Sequence, residues 1–170
     1  MDFLSLAKAR YSCRKFSDRP VEAEKLDRIL EAAMAAPTAK NQQPWKVWVL
    51  QSGEAMDKAR SATPCHFGAP LILAVGACAP DAWVRPSDGR NFGDVDAAIV
   101  GTHIMMEAQD LGLRTTWVGM FDAPKMKELF PEMSGYDLIA LFPIGYPAPD
   151  AAPADRHSQR KDRSESVRCR

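Results

Sequence analysis

The sequence predicts an α+β fold, and three observations support this class. A strongly periodic apolar stripe between residues 26 and 34 is typical of an amphipathic helix. Two apolar runs, at residues 46–50 and 71–77, have the length and β-branched content of strands. The predicted helices and strands neither alternate strictly nor form a repeat, which favours an α+β arrangement over a doubly wound α/β sheet.

The composition argues against several classes of partner. The chain has 170 residues, 22 of them basic and 22 acidic, so its charge gives no indication of nucleic acid or membrane binding. The longest apolar run, residues 69–79, is interrupted by Pro70 and Gly76 and is far shorter than the ~20 residues that span a bilayer. Lys8 and Arg10 come too early for a signal peptide. The four cysteines have no CxxC spacing and resemble reduced thiols, so we expect a soluble cytoplasmic protein.

The first predicted element is a short helix over residues 2–11, which leads into the motif Arg10-x-Ser12-x-Arg14. If the motif is extended, the period of two places both arginines and the serine on one face. Two guanidinium groups and a hydroxyl on one face form a phosphate cradle, because arginine matches phosphate oxygens bidentately. If the motif is helical, only the two arginines converge, and a solvated basic helix end is the alternative interpretation.

The second helix contains the apolar stripe and ends at Pro37, where a polar loop over residues 37–45 begins. The loop carries a hydroxyl, an amine and three carboxamides between two prolines, which limit its backbone freedom. These groups offer donors and acceptors together, which suits a neutral polar ligand. The loop would make a poor metal site, because it has no cysteine, histidine or carboxylate. A polar connector capped by turn residues is the alternative interpretation.

The middle of the chain predicts a strand at residues 46–50 and a second at 71–77, which is apolar on both faces and therefore central. Residues 79–93 predict a loop in which Trp83 either covers a ligand or fills core space. Asp94 or Asp96 then caps a long helix. Gly112 follows this helix, where a left-handed residue is expected to stop it.

The last third predicts a strand over residues 115–120, a short helix over 126–130 and a strand over 136–145. From residue 148 the chain is rich in proline and alanine and then becomes basic. With few large apolar side chains, this segment resembles a disordered tail in composition. We therefore divide the chain into a domain at residues 1–147 and a C-terminal extension at 148–170.

Several common catalytic motifs are missing from the sequence. It has no GxGxxG, GxxxxGK[ST], HExxH or GxSxG, which indicates that a cofactor supplies any redox or transfer chemistry. Four stretches, in their order and spacing, resemble the FMN-dependent nitroreductase family. They are Arg10-x-Ser12-x-Arg14, the loop from Ala36 to Trp45, Leu111-Gly112-Leu113 followed by Thr116-Trp117-Val118-Gly119, and Ile144-Gly145-Tyr146-Pro147.

The resemblance implies an intertwined homodimer with two FMN molecules at the subunit interface. Each subunit is expected to have a central, mainly antiparallel sheet of four to five strands flanked by helices. The extension at residues 148–170 is expected to contact the partner subunit. The residues implied to bind FMN are Arg10, Ser12, Arg14, Pro37, Thr38, Ala39, Asn41, Gln43, Trp117, Val118, Gly119, Arg160 and Lys161.

Within that set the resemblance implies distinct roles. The motif after the first helix holds the flavin phosphate, and Arg160 and Lys161 complete this phosphate site. The 37–45 loop comes from the partner subunit and reaches ribityl or ring atoms, while backbone N–H groups around Val118 and Gly119 face the flavin N5/O4 edge. Ala39 stands where relatives carry a second hydroxyl, so one hydrogen bond to the cofactor is absent or supplied by water.

The implied function is an oxidoreductase that passes hydride from NAD(P)H through FMN to a nitroaromatic, a quinone or a similar electron-poor acceptor by a ping-pong mechanism. No side chain has to act as acid or base, so no catalytic residue and no metal is assigned; the protein acts by placement and by N–H and cationic groups. The alternatives are reductive dehalogenation or flavin fragmentation on the same fold, or an FMN-binding protein with little turnover.

Overall fold

The structure of the protein is a computed structural model, and residues 2–170 are described. In chain order its helices and strands are α1 (Phe3–Ala9), α2 (Ala23–Met34), β1 (Trp45–Leu50), α3 (Gly53–Ala62), β2 (Leu71–Ala77), α4 (Gly93–Asp110), β3 (Arg114–Thr115), α5 (Ala123–Leu129), β4 (Asp137–Gly145) and α6 (Arg163–Ser166). Short 3-10 turns lie at Ala39–Asn41, Ala79–Asp81, Pro131–Met133 and Asp155–His157. Across residues 2–170, the helices lack the combination of length and hydropathy that crossing a bilayer requires.

The four strands form one antiparallel sheet in the order β1-β2-β4-β3. β2 lies between β1 and β4, and all seven of its residues are buried. Helices cover both of its faces, which is why each of its positions is apolar. The predicted α+β class, the antiparallel sheet and the central position of residues 71–77 are confirmed.

Two clusters of buried side chains lie on opposite faces of the sheet. Leu73 and Val75 of β2 belong to the first, together with residues of α2 and α4. Ile72 and Ala74 belong to the second, together with residues of α3 and α5. The strand period of two therefore divides one apolar run between two cores.

The predicted second helix is confirmed as α2, and its stripe packs on α4 with Ile29 and Ala33 buried. The start of α4 corrects the expectation that Asp94 or Asp96 caps it. The cap residue is Phe92, whose side chain makes no capping hydrogen bond. The Asp96 carboxylate instead accepts a hydrogen bond from the 37–45 loop, a long-range contact that local capping rules do not reveal.

The end of α4 agrees with the sequence, and the next strand is shorter than predicted. Gly112 has φ of +77°, which is the left-handed stop expected after a helix. The predicted strand at residues 115–120 is reduced to β3. Beyond β3 the Trp117 ring packs on Phe142 with centroids 5.1 Å apart, and Val118 returns to the sheet only through a bridge to Leu141.

The segment at residues 79–92 is shaped by a short turn and one bridge. Val84 and Asn91 form the bridge, and an ion pair between Arg85 and Asp88 closes the turn between them. Trp83 packs against Phe92 with ring centroids 5.0 Å apart. Of the two interpretations of Trp83, the structure favours the one in which it fills space.

Candidate functional site

The arginine-rich segment after α1 is extended, which decides between the two conformations that the sequence left open. Cys13 donates its backbone N–H to the Thr115 carbonyl at 3.1 Å, and Ser12 forms a parallel bridge with Thr115. Cys13 is fully buried. Arg10, Ser12 and Arg14 all line one cavity, as the strand period of two predicts.

This cavity has a volume of about 220 Å³ and a strongly cationic lining. It is lined by Arg10, Ser12, Arg14, Ala154, Arg156, His157 and Arg160. Four of these residues are arginines and none carries a carboxylate. Guanidinium groups stay charged throughout the neutral range, and each can match two oxygens of a phosphate group. The cavity therefore suits an anion with several oxygens, such as a phosphate monoester.

The C-terminal extension supplies four of the seven lining residues because it folds back onto its own chain. Lys15 pairs with Asp150 at 2.5 Å, and the Ala148 N–H donates to the Lys15 carbonyl at 3.1 Å. The hydrogen bond from Lys15 lowers the pKa of the Asp150 carboxyl. Farther along, His157 Nε2 lies 3.1 Å from the Lys8 carbonyl at the end of α1. These contacts connect the extension to both ends of the arginine-rich segment.

The two basic residues expected from the C-terminus have different positions. Arg160 lines the cavity, and its Nη1 donates to the His157 carbonyl at 2.7 Å. Lys161 is exposed and does not line the cavity, so its expected role in the phosphate site stays a prediction. Arg156 and His157 were missed by sequence reasoning. The sequence offered one weak indication of them, which is that Arg156 lies in the basic C-terminal stretch, four residues before Arg160.

The polar loop at residues 37–45 has an unusual backbone. Lys40, Asn41 and Gln43 all have positive φ, at 57°, 55° and 52°. Residues other than glycine seldom adopt these values, which cost of order 1–3 kcal/mol each and persist only where the surroundings enforce them. Strain concentrated in one loop is typical of a ligand-binding segment.

Hydrogen bonds within the loop and to α4 enforce this conformation. The Thr38 hydroxyl accepts the Gln43 N–H at 3.1 Å, and Gln43 Nε2 lies 3.3 Å from Asn41 Oδ1. Asp96 Oδ1 accepts the Ala39 N–H at 2.9 Å. Asp96 is 1% exposed, and its other oxygen has no partner within the described chain. Sequence reasoning had given Asp96 only a capping role.

The third predicted group, Trp117 to Gly119, differs from expectation at its centre. The Val118 N–H donates to the Leu141 carbonyl at 2.9 Å, so this amide is already used within the chain. Gly119 is exposed, and a Cβ placed on it would meet no atom within 4 Å. The Trp117 ring is 36% exposed. Of the two expected backbone donors, Gly119 alone lies in open space.

The structure thus divides the predicted site residues into three groups. Arg10, Ser12, Arg14 and Arg160 meet around the cavity, and neither the 37–45 loop nor residues 117–119 contribute to its lining. Among residues 2–170, no three histidine, cysteine or acidic side chains are placed to share a metal ion. The cavity is therefore a candidate site for an anionic organic ligand.

Comparison with known proteins gives a consistent result. The model of the Nitroreductase family matches residues 7–67 and 62–146. A Methanothermobacter thermautotrophicus protein with the name NADH dehydrogenase/NAD(P)H nitroreductase is 31% identical over 162 residues, covering 91% of this chain and 82% of the relative. A nitroreductase family protein from Clostridium difficile 630, solved by crystallography, is 37% identical with a TM-score of 0.91, covering 99% of this chain and 98% of the other.

A more distant structure has the same fold. It is the crystal structure of a protein from Exiguobacterium sibiricum 255-15 in complex with FMN, 20% identical with a TM-score of 0.86, and the match covers 100% of this chain and 98% of the other. The family model spans most of the sequence, and both the fold and the archaeal relative agree with it. The chain belongs to the nitroreductase family.

Proposed function

We propose that this protein is an FMN-dependent oxidoreductase that uses NAD(P)H. The observation that carries the proposal is the cationic cavity in which Arg10, Ser12, Arg14 and Arg160 converge without a carboxylate. FMN ends in a phosphate monoester with charge near −2 and several acceptor oxygens. Guanidinium and hydroxyl donors satisfy such a group, so the residues present fit the cofactor's phosphate end.

The names of relatives support the same conclusion. One relative is named as an NADH dehydrogenase/NAD(P)H nitroreductase, and one structure of the same fold was solved in complex with FMN. When bound, FMN supplies hydride and electron transfer chemistry that no set of protein side chains provides. The chain's own contribution is to bind and orient the cofactor and its two substrates.

Specific residues carry that contribution. Arg10, Ser12, Arg14 and Arg160 hold the phosphate end, and the strained 37–45 loop offers hydroxyl and carboxamide groups for the polyol and ring. The N–H of Gly119 is the candidate for stabilising negative charge on the ring, because the Val118 N–H is already donated to Leu141.

We also propose that the complete site requires two copies of the chain. The 37–45 loop does not line the cationic cavity of its own chain. Any group that the loop binds therefore lies elsewhere on the same chain or against a partner. Val95, Ala98 and Ile99 of α4 line a shallow open surface together with Asp94 and Thr102. Ile99 also packs against the chain's own core, whereas Val95 and Ala98 are half-buried. A second copy of the chain can cover the apolar part of this surface.

The proposed acceptors are nitroaromatics, quinones or similar electron-poor molecules, reduced by a ping-pong mechanism. The nicotinamide substrate binds, reacts and leaves before the acceptor binds, because both need the same exposed part of the site. The cytoplasm, where the four free cysteines stay reduced, is the proposed location.

The test uses the purified full-length chain. FMN is titrated, and NADH or NADPH is added to the loaded protein under anaerobic conditions while the flavin absorbance is followed. We expect bleaching by the nicotinamide and recovery on addition of nitrobenzene or menadione, with parallel double-reciprocal plots in steady-state kinetics. A protein that binds no FMN contradicts the whole proposal, and one that binds FMN without bleaching is a flavin-binding protein with little turnover. Bleaching without recovery by either acceptor contradicts the proposed acceptor class.

A further inference from the structure

His157 is the one histidine in the cavity lining. Its neighbours in the lining are Arg10, Arg14, Arg156 and Arg160, all of which stay cationic at every relevant pH. Histidine is the side chain whose charge normally changes between pH 5 and 8. None of the phosphate-binding roles implied by the family resemblance includes this position.

The His157 ring is fixed from behind. Nε2 lies 3.1 Å from the Lys8 carbonyl, and because a carbonyl can only accept, this nitrogen carries a proton. The ring also meets Tyr11 edge-on, with centroids 6.4 Å apart and planes at 75°. The Arg114 guanidinium lies over the Tyr11 ring, with its carbon 5.6 Å from the ring centre. Two elements therefore hold the imidazole in place.

The hydrogen bond to Lys8 determines which atom is left for a ligand. With the proton on Nε2, the neutral ring has an unprotonated Nδ1, and this atom has no hydrogen-bond partner in the described part of the chain. A phosphate dianion only accepts hydrogen bonds. Contact between Nδ1 and a phosphate oxygen is favourable only when Nδ1 also carries a proton, which makes the ring an imidazolium.

From this geometry we infer that His157 is a proton-linked ligand of the phosphate group. When the phosphate enters, His157 takes up one proton from solvent at Nδ1 and donates it in a hydrogen bond to a phosphate oxygen; no other bond forms or breaks. The inference rests on the proposed function, because it assumes that the cavity binds the phosphate of FMN.

The charges around the ring determine the direction of the linkage. The four arginines oppose a further positive charge while the cavity holds no anion, whereas a dianion favours it. The carbonyl of Lys8, at the C-terminal end of α1, also favours the charged ring. Tyr11 stays neutral in this range, because burial raises the pKa of its hydroxyl. Asp155 lies on the same turn but does not line the cavity.

Linkage then gives the pH dependence. Because the bound state carries one more proton, FMN affinity rises as pH falls from 8.5 to 6.5, with a limit of about tenfold per pH unit for one proton. Below a pH of about 6 the phosphate itself takes up a proton, which reverses the trend. Riboflavin, which lacks the phosphate, shows no such slope.

The experiment is calorimetric titration of the full-length protein with FMN and with riboflavin. At pH 7.5, two phosphate-free buffers with different protonation enthalpies give the number of protons taken up. We expect net uptake with FMN and none with riboflavin. Absence of uptake with FMN in the wild-type protein overturns the inference without any variant.

The variant His157→Gln keeps a donor near Nε2 for the Lys8 carbonyl and removes Nδ1. We expect FMN to bind roughly 10- to 150-fold more weakly than to the wild type, in line with loss of one bond to a charged group, and proton uptake to vanish. Riboflavin affinity is unchanged. His66→Gln is the matched control, because His66 is a half-buried histidine outside the cavity lining.

The outcomes separate this inference from the proposed function. If Arg14→Ala weakens FMN selectively and His157→Gln has no effect, the phosphate site stands and the role of His157 falls. If neither change weakens FMN relative to riboflavin, the proposed phosphate site itself is wrong. If His157→Gln weakens FMN and riboflavin equally, His157 is only an anchor for the extension, which also overturns the inference.

Discussion

At the residue scale, the candidate site depends on a small number of guanidinium groups on one face of an extended segment. Arg14 is exposed, and its Nη1 donates only to the neighbouring Ser12 carbonyl, at 3.3 Å. Its guanidinium is therefore available to a ligand. Arg10 and Arg160 line the same cavity, so losing one arginine weakens anion binding without removing it.

We predict that Arg14→Ala weakens FMN binding roughly 10- to 150-fold. A hydrogen bond to a charged group contributes about 1.5–3 kcal/mol, and each 1.4 kcal/mol is about tenfold in affinity. Riboflavin affinity should be almost unchanged, because riboflavin lacks the phosphate. Fluorescence titration with both flavins measures this, and Arg60→Ala on α3 is the control. Equal losses for both flavins indicate that Arg14 is structural.

At the element scale, two long-range hydrogen-bond groups connect the helices to the segments that form the site. One joins α4 to the 37–45 loop through the buried Asp96. The other joins the N-terminus of α2 to the end of β4. There, the Tyr146 hydroxyl donates to Glu22 at 2.8 Å, and Lys25 Nζ donates to the same hydroxyl at 2.8 Å.

We predict that Asp96→Ala lowers the free energy of unfolding by about 1.5–3 kcal/mol, since it removes a carboxylate acceptor from the part-buried Ala39 N–H. Asp96→Asn keeps an oxygen that can accept the Ala39 N–H, so its free energy of unfolding should fall clearly less. Urea unfolding of the apoprotein measures both. Equal losses in the two variants contradict the proposed role of this hydrogen bond in holding the loop.

The hydrogen bonds to Glu22 predict that the stability of the protein depends on pH. The backbone N–H of Glu22, then the Tyr146 hydroxyl and Arg19, lower the pKa of the Glu22 carboxyl from 4.5 to about 2. A carboxyl with a lowered folded-state pKa stabilises the protein above pH 4.5, and this contribution is lost as pH falls towards 2. We predict that Tyr146→Phe destabilises the protein at pH 7 and that its difference from wild type shrinks by pH 2.5.

Urea midpoints at the two pH values test this prediction. Tyr136→Phe is the matched control, because Tyr136 packs edge-on against Trp48 and takes no part in the Glu22 group. Its difference from wild type should not depend on pH in this range. A difference for Tyr146→Phe that is equally large at pH 7 and pH 2.5 contradicts the assignment.

At the scale of the whole molecule, we expect a second copy of the chain to cover the apolar surface of α4 and the groove beside it. The groove lies between α1, α2 and α4 and has a volume of about 500 Å³. It is lined by four apolar side chains and by Thr102, His103, Glu107 and Asp110. Phe3 at its edge is 74% exposed. Thr102 lines both the groove and the surface with Val95 and Ala98.

We predict that the wild-type chain sediments as the proposed dimer, and that Thr102→Arg converts it to a monomer and weakens FMN binding. Thr102 is exposed in the single chain, so the arginine costs the monomer little, whereas it places a bulky charge in the proposed interface. Ser61→Arg on α3 is the control, because both hydroxyls are on exposed helix positions and bond to a carbonyl of the preceding turn. Sedimentation measures the outcome, and an unchanged dimer contradicts this interface.

The C-terminal extension provides a second prediction at this scale. Residues up to Arg160 contact their own chain, whereas α6 and Val167, which is 50% exposed, remain available to a partner, as the family resemblance implies. We predict that deleting residues 163–170 weakens the dimer but leaves FMN affinity intact at high protein concentration. Deleting residues 148–170 should weaken both. Unchanged FMN affinity after the longer deletion contradicts the role of the extension in the phosphate site.

The local pattern of the sequence determined most of the fold. The apolar period of α2, the continuous apolar run of β2 and the glycine after α4 each specify one conformation, because side-chain burial and backbone stereochemistry act within a few residues. The motif at Arg10, Ser12 and Arg14 was also readable, although its conformation was not. Both an extended and a helical form satisfied the local rules.

Only the tertiary structure decided the contacts between distant segments. The bridge of Ser12 to Thr115 made the motif extended, and Asp96 was used for the Ala39 N–H rather than as a cap. The Val118 N–H was committed to Leu141, and His157 joined a cavity whose other half lies about 150 residues earlier in the chain. A buried hydrogen-bond donor or acceptor pairs with whichever group the fold brings close to it. When that group is far away along the chain, the local sequence pattern does not identify it.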